Sequence, residues 1–237
     1  MVPGWLEWVS KIAVAVSMVS AGIVGLDILL GRRQRMAIMD LVWPITALYF
    51  GPIGLWAYWK LGRPDTRQPG ESSSGHQGGH RGEDNPPRRS SWRAIFKATS
   101  HCGAGCTLGD AIAETSIFAM GITLFGSKLA TAYLLDFLLA YGFGVIFQFL
   151  TIAPMRDLGP WEGLKAAVKA DTISLVAFEV GMFAFMAINR FIWFPTNPPE
   201  PDTTTYWFLM QLAMIVGFAT SFPANWWLIR VGLKEAM

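Results

Sequence analysis

Two cysteines, a histidine and two acidic residues lie close together in one stretch of the chain, and their types suit metal chemistry. The stretch 101–110 reads HCGAGCTLGD, contains both cysteines and one of the three histidines, and is followed by Glu114. Successive residues of an α-helix rotate by about 100°, so residues four apart, from Cys102 to Glu114, form one slowly drifting stripe. Two thiolates one turn apart, beside an imidazole, suit a soft or borderline metal ion. We therefore predict a metal site with His101, Cys102 and Cys106 as its high-affinity ligands.

Two later apolar segments carry methionine pairs on the same helical faces as polar side chains. The spacing is MxxxM in both, at Met182 and Met186 and again at Met210 and Met214. Thioethers bind Cu(I) well and Zn²⁺ poorly, so the pairs predict Cu(I) as the bound ion and act in this interpretation as weaker relay ligands. Buried Cys and Met are also ordinary core residues, so plain packing is the alternative role for each of them.

Acidic and amide side chains accompany the sulfur ligands. A carboxylate inside a bilayer is costly and is usually functional or paired. Metal capture by thiols also releases protons, which nearby carboxylates can accept. The residues predicted to relay protons or hold positive charge are Asp110, Glu114, Asp171, Glu179 and Asn225.

The composition indicates a polytopic membrane protein. Of 237 residues, 52% are hydrophobic and only 15% are charged, and the mean hydropathy is +0.36, values that a soluble domain does not usually reach. A net charge of +2 is too small to indicate nucleic-acid binding. Two cysteines four residues apart cannot form the disulfide framework of a small secreted domain. We therefore expect an all-α helix bundle whose main partner is the lipid bilayer.

Six segments are apolar over the roughly 20 residues that a transmembrane helix needs. They are residues 9–30, 36–59, 101–125, 129–151, 166–193 and 206–229. The first is long enough to span, so we interpret it as a transmembrane helix rather than a cleaved signal peptide. The predicted organisation is a two-helix hairpin over 1–60, a disordered polar linker over 61–91 and a four-helix core over 92–237.

The distribution of Lys and Arg predicts the orientation, because these residues are enriched in cytoplasmic loops. With both termini in the cytoplasm, fourteen of the 19 Lys and Arg residues lie inside and five outside. The weak point is the cluster Arg32-Arg33-Gln34-Arg35, which this arrangement places outside. If one of the first two segments does not span, the assignment changes.

The predicted hairpin and linker contain a few further polar residues of interest. Asp27 and Asp40 lie near the outer ends of the first two predicted spans, where pairing with the nearby arginines is the expected role. His76 and His80 form HxxxH in the linker, where a flexible metal ligand pair is conceivable and a solvated loop is the simpler interpretation.

Three motifs occur in order in the second part of the chain. They are HCxxGCxxGD at 101–110, ADTxS at 170–174 followed by Glu179, and FPxNxWLI at 222–229. Over residues 92–237 they resemble the domain-of-unknown-function family 4396, a group of bacterial multi-pass membrane proteins. Relatives often have Glu where Asp110 stands, which keeps a carboxylate there. The resemblance implies a four-helix core in the bacterial inner membrane and assigns no activity.

Three functions are compatible with these residues. The first is a Cu(I) permease, sensor or chaperone-like binder, with a soluble metal donor or a second copy of the chain as partner. The second is a membrane thiol-disulfide oxidoreductase cycling Cys102 and Cys106, although the spacing is CxxxC rather than CxxC and no second cysteine pair exists. The third is a non-catalytic scaffold subunit. No catalytic set and no phosphate-binding GxxxxGK[ST] loop is present, so an enzyme is the weaker expectation.

Overall fold

Seven α-helices form the part of the chain that the structure describes. The computed structural model describes residues 2–34, 36–64, 91–124 and 126–234. The elements are α1 (Gly4–Leu29), α2 (Met39–Phe50), α3 (Pro52–Ala57) with a π-helical turn (Tyr58–Gly62), α4 (Trp92–Met120), α5 (Lys128–Arg156), α6 (Pro160–Ile188) with a π-helical turn (Asn189–Trp193), and α7 (Thr204–Arg230). The all-α prediction is confirmed for these residues.

Helices α4 to α7 form a four-helix core. Helix α4 packs along α5, α5 along α6 and α6 along α7, while α4 also touches α6 and α7. Each helix thus buries polar and apolar side chains against the others, and α1 and α2 pack on the outside against α7 and α4. The polar residues of α4 are consequently enclosed by protein rather than by lipid.

Two glycines allow α4 and α5 to approach closely. A Cβ added to Gly105 would lie 2.7 Å from the Cα of Gly144, and one added to Gly109 would overlap the backbone nitrogen of Ala140. Small residues spaced four apart permit this kind of backbone contact between membrane helices. Gly105 and Gly109 therefore place the backbone of α4 directly against that of α5.

The second predicted span, 36–59, is not one continuous helix. Helix α2 ends at Gly51, which adopts φ 58° and ψ −131°, a conformation that glycine tolerates and other residues rarely adopt. Pro52 then begins α3, and a proline cannot continue the preceding helix because it lacks an N–H group and crowds the preceding turn. The chain therefore reverses direction between α2 and α3.

Contacts across this reversal define a helical hairpin. A Cβ on Gly54 would lie 2.7 Å from the Cα of Ala47, and one on Gly62 would overlap the ring of Trp43. The Tyr58 hydroxyl donates to Asp27 Oδ2 at 2.8 Å. Because Asp27 lies in the last turn of α1, both ends of the α2–α3 hairpin lie at the C-terminal end of α1.

Asp27 fixes that end of the hairpin by ion pairs. Its Oδ1 lies 3.4 Å from Arg32 Nη1 and 3.1 Å from Arg63 Nη2, which confirms the expected pairing with arginines. Asp40 accepts a hydrogen bond from the backbone N–H of Gln34 at 2.8 Å. Arg63, the residue after the π-helical turn, therefore still contacts α1 through Asp27. Most of the predicted linker, including His76 and His80, lies outside the described residues.

Among the described residues, four helices are long and apolar enough to cross a membrane. They are Gly4–Leu29, Lys128–Arg156, Pro160–Trp193 and Thr204–Arg230. The apolar helix α2 has only 12 residues, and α4 carries many polar side chains. The predicted count of six spans is therefore not confirmed, whereas an all-α bundle with four candidate spans is.

Helix α4 also begins earlier than predicted. It starts at Trp92 rather than at His101, and its N-cap Ser91 accepts a hydrogen bond from the backbone N–H of Arg93. Arg93 and Lys97 lowered the hydropathy of this turn, but a serine cap and good helix formers favour helix regardless of polarity. His101 therefore lies well inside α4 instead of opening it.

The close α4–α5 contact gives a paired test. Gly109→Ala should destabilise the protein by about 1–3 kcal/mol, because the new methyl group has no space against α5. The matched change Gly142→Ala, where nothing lies within 4 Å of the added Cβ, should leave stability unchanged or raise it slightly. Thermal unfolding of the detergent-solubilised chain measures both, and equal melting temperatures would contradict the packing.

Candidate functional site

Polar side chains from all four core helices face one another along the centre of the core. We call this set the polar column. From the C-terminal end of α7 towards the opposite end, its members are Lys234, Asn225, Asp171, Ser174, Cys102, Cys106, Glu179, Asp110, Asp136, Glu114 and Tyr206. All are buried, which is unusual for so many titratable groups.

One end of the polar column is a complete ion-pair network. The Lys234 ammonium donates to Asp171 Oδ1 and to Asn225 Oδ1 at 2.6 Å, and it lies 3.5 Å from Ser174 Oγ. The Lys234 and Asp171 side chains are fully buried. A buried charge is tolerated when it is paired and hydrogen-bonded, and this pair meets both conditions.

The turn after α7 brings Lys234 into the core. Gly232 adopts φ +73°, and the backbone N–H groups of Leu233 and Lys234 donate to the carbonyl of Leu228 at 3.0 and 3.2 Å. A glycine in the left-handed region followed by such a bond is the usual Schellman ending of a helix. The chain folds back over the end of α7, so the lysine side chain points into the bundle.

The two thiols continue the polar column from this network. Cys102 Sγ lies 3.8 Å from Ser174 Oγ, to which it donates. Cys106 lies next to Cys102 and next to the carboxyl group of Glu179. Both cysteines are free. The faces of α4 and α6 that the sequence predicted to be polar therefore meet each other.

Four carboxyl groups occupy the other half of the polar column. Glu179, Asp110 and Asp136 lie close enough to influence one another, and Glu114 lies beside Asp136 and the Tyr206 hydroxyl. Both carboxyl oxygens of Asp110 and both of Glu179 lack a hydrogen-bond partner among the described residues. None of the ion pairs described in the structure includes any of the four.

This half of the polar column must therefore bind positive charge or protons. An isolated carboxylate is very unfavourable in a low-dielectric interior, and neighbouring carboxylates repel one another further. Four of them cannot all be ionised without cations. The arrangement is chemically suited to accept and release protons, to hold a cation, or to do one in exchange for the other.

A cavity reaches the polar column at its carboxylate end. It has a volume of about 500 Å³, and Glu114 and Tyr206 form part of its wall together with Met186. Lys128 and Arg190 also line it. The cavity lies where α4 ends and α5 and α7 begin, so it connects Glu114 with the end of the bundle opposite Lys234.

The structure brings the predicted ligands together only in part. Within the described ranges, no three His, Cys, Asp or Glu side chains cluster as a preformed metal centre. His101 Nε2 lies 3.4 Å from Thr151 Oγ1 on α5, and its ring packs edge-on against Phe147. His101 thus points towards α5, whereas the thiols of Cys102 and Cys106 point towards α6.

Three of the four predicted thioethers belong to the same buried cluster as the thiols. Met182, Met210 and Met214 pack in this cluster with both cysteines. Met186 packs against the edge of that cluster and lines the cavity. The predicted sulfur ligands of α4, α6 and α7 are therefore all part of one packed core or in contact with it.

Three polar residues of the column were not predicted from the sequence. Asp136 is the only Asp or Glu of the predicted span 129–151, so the rule that intramembrane charges are functional would have identified it. Tyr206 stood at a predicted helix end, where tyrosine is common as an interfacial anchor. Lys234 gave no signal, because a lysine after a last span looks like an ordinary cytoplasmic charge.

The described residues place the chain in the class of all-α bundles with helices long and apolar enough to cross a membrane. Within that class, the domain of unknown function DUF4396 matches residues 91–234. The chain belongs to this family, and the matched region contains α4 to α7 and ends at Lys234, so it includes the whole polar column. No curated protein and no solved structure matches the chain.

The Lys234–Asp171 pair can be tested by a double-mutant cycle. Lys234→Met and Asp171→Asn should each destabilise the protein, Lys234→Met by about 3–5 kcal/mol, because a single change leaves a buried group unpaired. The double variant should recover most of that loss. Melting temperatures in detergent give the cycle, and Lys169→Met at an exposed lysine of α6 is the control. Additive effects of the two single changes would contradict a buried pair.

Proposed function

We propose that the protein carries a cation through the polar column and exchanges it for protons held by the column's carboxyl groups. The cargo that the ligands favour is a soft metal ion, with Cu(I) first. The observation that carries this proposal is the position of Cys102 and Cys106, whose thiols lie within the column and directly beside Glu179 and Ser174. Thiolates bind soft and borderline ions, and thioether neighbours favour Cu(I) over Zn²⁺ among them.

The thioethers would act before the thiols. Met186 lines the cavity, and Met182, Met210 and Met214 belong to the buried cluster that also contains the cysteines. Thioethers are weaker Cu(I) ligands than thiolates, so a metal entering from the cavity would pass towards stronger ligands. His101 is not adjacent to the thiols, so the high-affinity site in this proposal consists of the two cysteines with thioether support.

Carboxyl groups would handle the protons. Binding of a metal by thiols displaces their protons, and Glu179 beside Cys106 is the nearest acceptor. Asp110, Asp136 and Glu114 then continue towards the cavity. Proton movement away from the thiols would compensate the charge of the incoming cation, which a low-dielectric interior requires.

The hairpin changes the expected orientation of α1. Because α2 and α3 return to the C-terminal end of α1, the linker lies on the opposite side of the membrane from the N-terminus. We propose that α4 is a fifth span, whose polar side chains face the column, with the linker and the C-terminus in the cytoplasm and the N-terminus outside. The outer side then holds only Lys11, Lys128 and Arg190 out of 19 Lys and Arg residues.

This distribution satisfies the positive-inside rule better than two cytoplasmic termini do. The cluster Arg32-Arg33-Gln34-Arg35 moves to the cytoplasmic side, which removes the weak point of the first assignment. The orientation of α4 to α7 is unchanged, so Lys234 and the thiols lie nearer the cytoplasm and the cavity opens outside. The proposed location is the inner membrane of the cell.

Reporter fusions test this orientation. Alkaline phosphatase fused before residue 1 and after residue 237 should be active only at the N-terminal position, because the enzyme folds outside the cytoplasm; green fluorescent protein should give the reverse result. A fusion within residues 65–90 should behave as the C-terminal one does. Two cytoplasmic termini would show that the hairpin crosses the membrane.

Copper binding tests the function. The purified chain, loaded with Cu(I) in the presence of a competing chelator, should retain a stoichiometric metal that Cys102→Ser and Cys106→Ser each abolish. Met182→Leu should weaken binding, whereas the matched Met18→Leu on the exposed surface of α1 should not. Loading into proteoliposomes should move protons in a Cys102-dependent manner.

Other outcomes would identify the competing functions. Reversible oxidation of the two thiols without bound metal would favour a thiol-disulfide oxidoreductase. Cysteine variants that change neither metal content nor thiol chemistry would favour a scaffold subunit, and would contradict the proposed cation transport by the thiols.

A further inference from the structure

Three oxygen atoms converge on the Lys234 ammonium and form a site for a small cation. They are Oδ1 of Asp171, Oδ1 of Asn225 at 2.6 Å and Oγ of Ser174 at 3.5 Å. Asp171, Ser174 and Asn225 are all fully buried. The oxygens come from two different helices, α6 and α7, and they point at one position.

The oxygen atoms are oriented without help from the lysine. The Asn225 side-chain amide donates to the carbonyl of Ser221 at 3.0 Å, which directs its oxygen inward. The Ser174 hydroxyl donates to Asp171 Oδ1 at 2.6 Å. Asp171 Oδ2 is buried and has no hydrogen-bond partner among the described residues, so the carboxylate retains a free acceptor directed into the core.

The backbone of Lys234 is held by a turn. It follows α7 instead of lying on a core helix, and the backbone bonds from Leu233 and Lys234 to Leu228 are the ones that hold the turn. Unwinding of this turn at the end of α7 is the movement that would take the ammonium away from the three oxygens. Departure of the lysine would leave a buried carboxylate that needs a new cation.

The chemistry of the donors selects that cation. Carboxylate, amide and hydroxyl oxygens are hard ligands, which bind alkali and alkaline-earth ions rather than soft metals. A single carboxylate balances one positive charge, and a divalent ion in place of the ammonium would leave excess charge in a low-dielectric site. The fitting ligand is a monovalent alkali-metal ion.

We propose that Asp171, Ser174 and Asn225 form an alkali-cation site, and that Lys234 fills it as an internal cation until the C-terminal turn opens. This site is separate from the sulfur ligands and goes beyond the proposed transport of a soft metal. Ser174 nevertheless contacts Cys102 at 3.8 Å, so occupancy of the site by Lys234 or by an ion is transmitted directly to the thiol end of the polar column.

Ion-dependent stability of lysine variants tests the proposal. In the full-length purified chain, with metals removed by chelator, Lys234→Gln should be less stable than the native chain and should regain roughly 5 °C in melting temperature on saturation with Na⁺. Choline at equal ionic strength should have no such effect. The native chain and the matched variant Lys169→Gln should respond to neither, because Lys234 occupies the site.

A second variant keeps the test decisive if Lys234→Gln folds poorly. The double variant Lys234→Gln/Asp171→Asn removes both charges, should recover stability and should bind no radioactive Na⁺, whereas Lys234→Gln should bind one Na⁺ per chain. Cys102→Ser in the Lys234→Gln background should keep the Na⁺ response even if it loses copper. An Na⁺ response that persists without the Asp171 carboxylate, or a Lys234→Gln variant unaffected by Na⁺, Li⁺ and K⁺, would overturn the proposal.

Discussion

A carboxylate buried away from water needs a cation or a proton, and this requirement organises the core of the protein. Five acidic side chains lie along the polar column, in the interior of a bundle whose outer surface is apolar. Asp171 is paired with Lys234, while none of the ion pairs among the described residues includes Asp110, Glu114, Asp136 or Glu179. At one end of the polar column Lys234 neutralises Asp171, and at the other end the carboxyl groups need protons or a bound cation.

Close packing of the core helices keeps the polar column away from water. Gly105 and Gly109 let α4 lie against α5 with backbone contact, which removes the space where water could solvate Asp110. On the other side, a Cβ on Gly217 would lie 2.8 Å from the carbonyl oxygen of Phe178, so α6 and α7 are equally close. Low local polarity strengthens every electrostatic interaction in the column, including the attraction between Asp171 and Lys234.

The sequence predicted the features that depend on local periodicity and apolar length. Helices α5 and α7 differ from their predicted spans by only a few residues, because an uninterrupted apolar run has one favourable structure in a membrane. The stripe from Cys102 to Glu114 also faces the polar column, as the helical periodicity predicted. The second predicted span is two short helices instead of one, since hydropathy is the same for a crossing helix and a returning hairpin. Gly51-Pro52 was the local signal that separates them.

What the sequence could not provide is the pairing of residues that are far apart. Asp171 and Lys234 are separated by 63 positions, and neither shows in its surroundings that the other will be its partner. His101 adjoins Cys102 in the chain, yet one helical step of about 100° turns it to α5 while the thiol faces α6. The closeness of His101 and Cys102 in the sequence thus led to the prediction of one joint metal site. Only the packing of the helices shows that the two side chains point in different directions.

The N-terminal hairpin, which lies outside the matched family domain, packs against the core of the bundle. The tip of the hairpin is tied to the core by the Gln211 side chain, which donates to the carbonyl of Leu48 at 2.8 Å. Tyr49 is buried, and a Cβ on Gly103 would lie 3.1 Å from its hydroxyl oxygen, on α4 beside Cys102. Tyr49 also belongs to the same buried cluster as Cys102 and Cys106, so the tip of the hairpin forms part of the core beside the thiols.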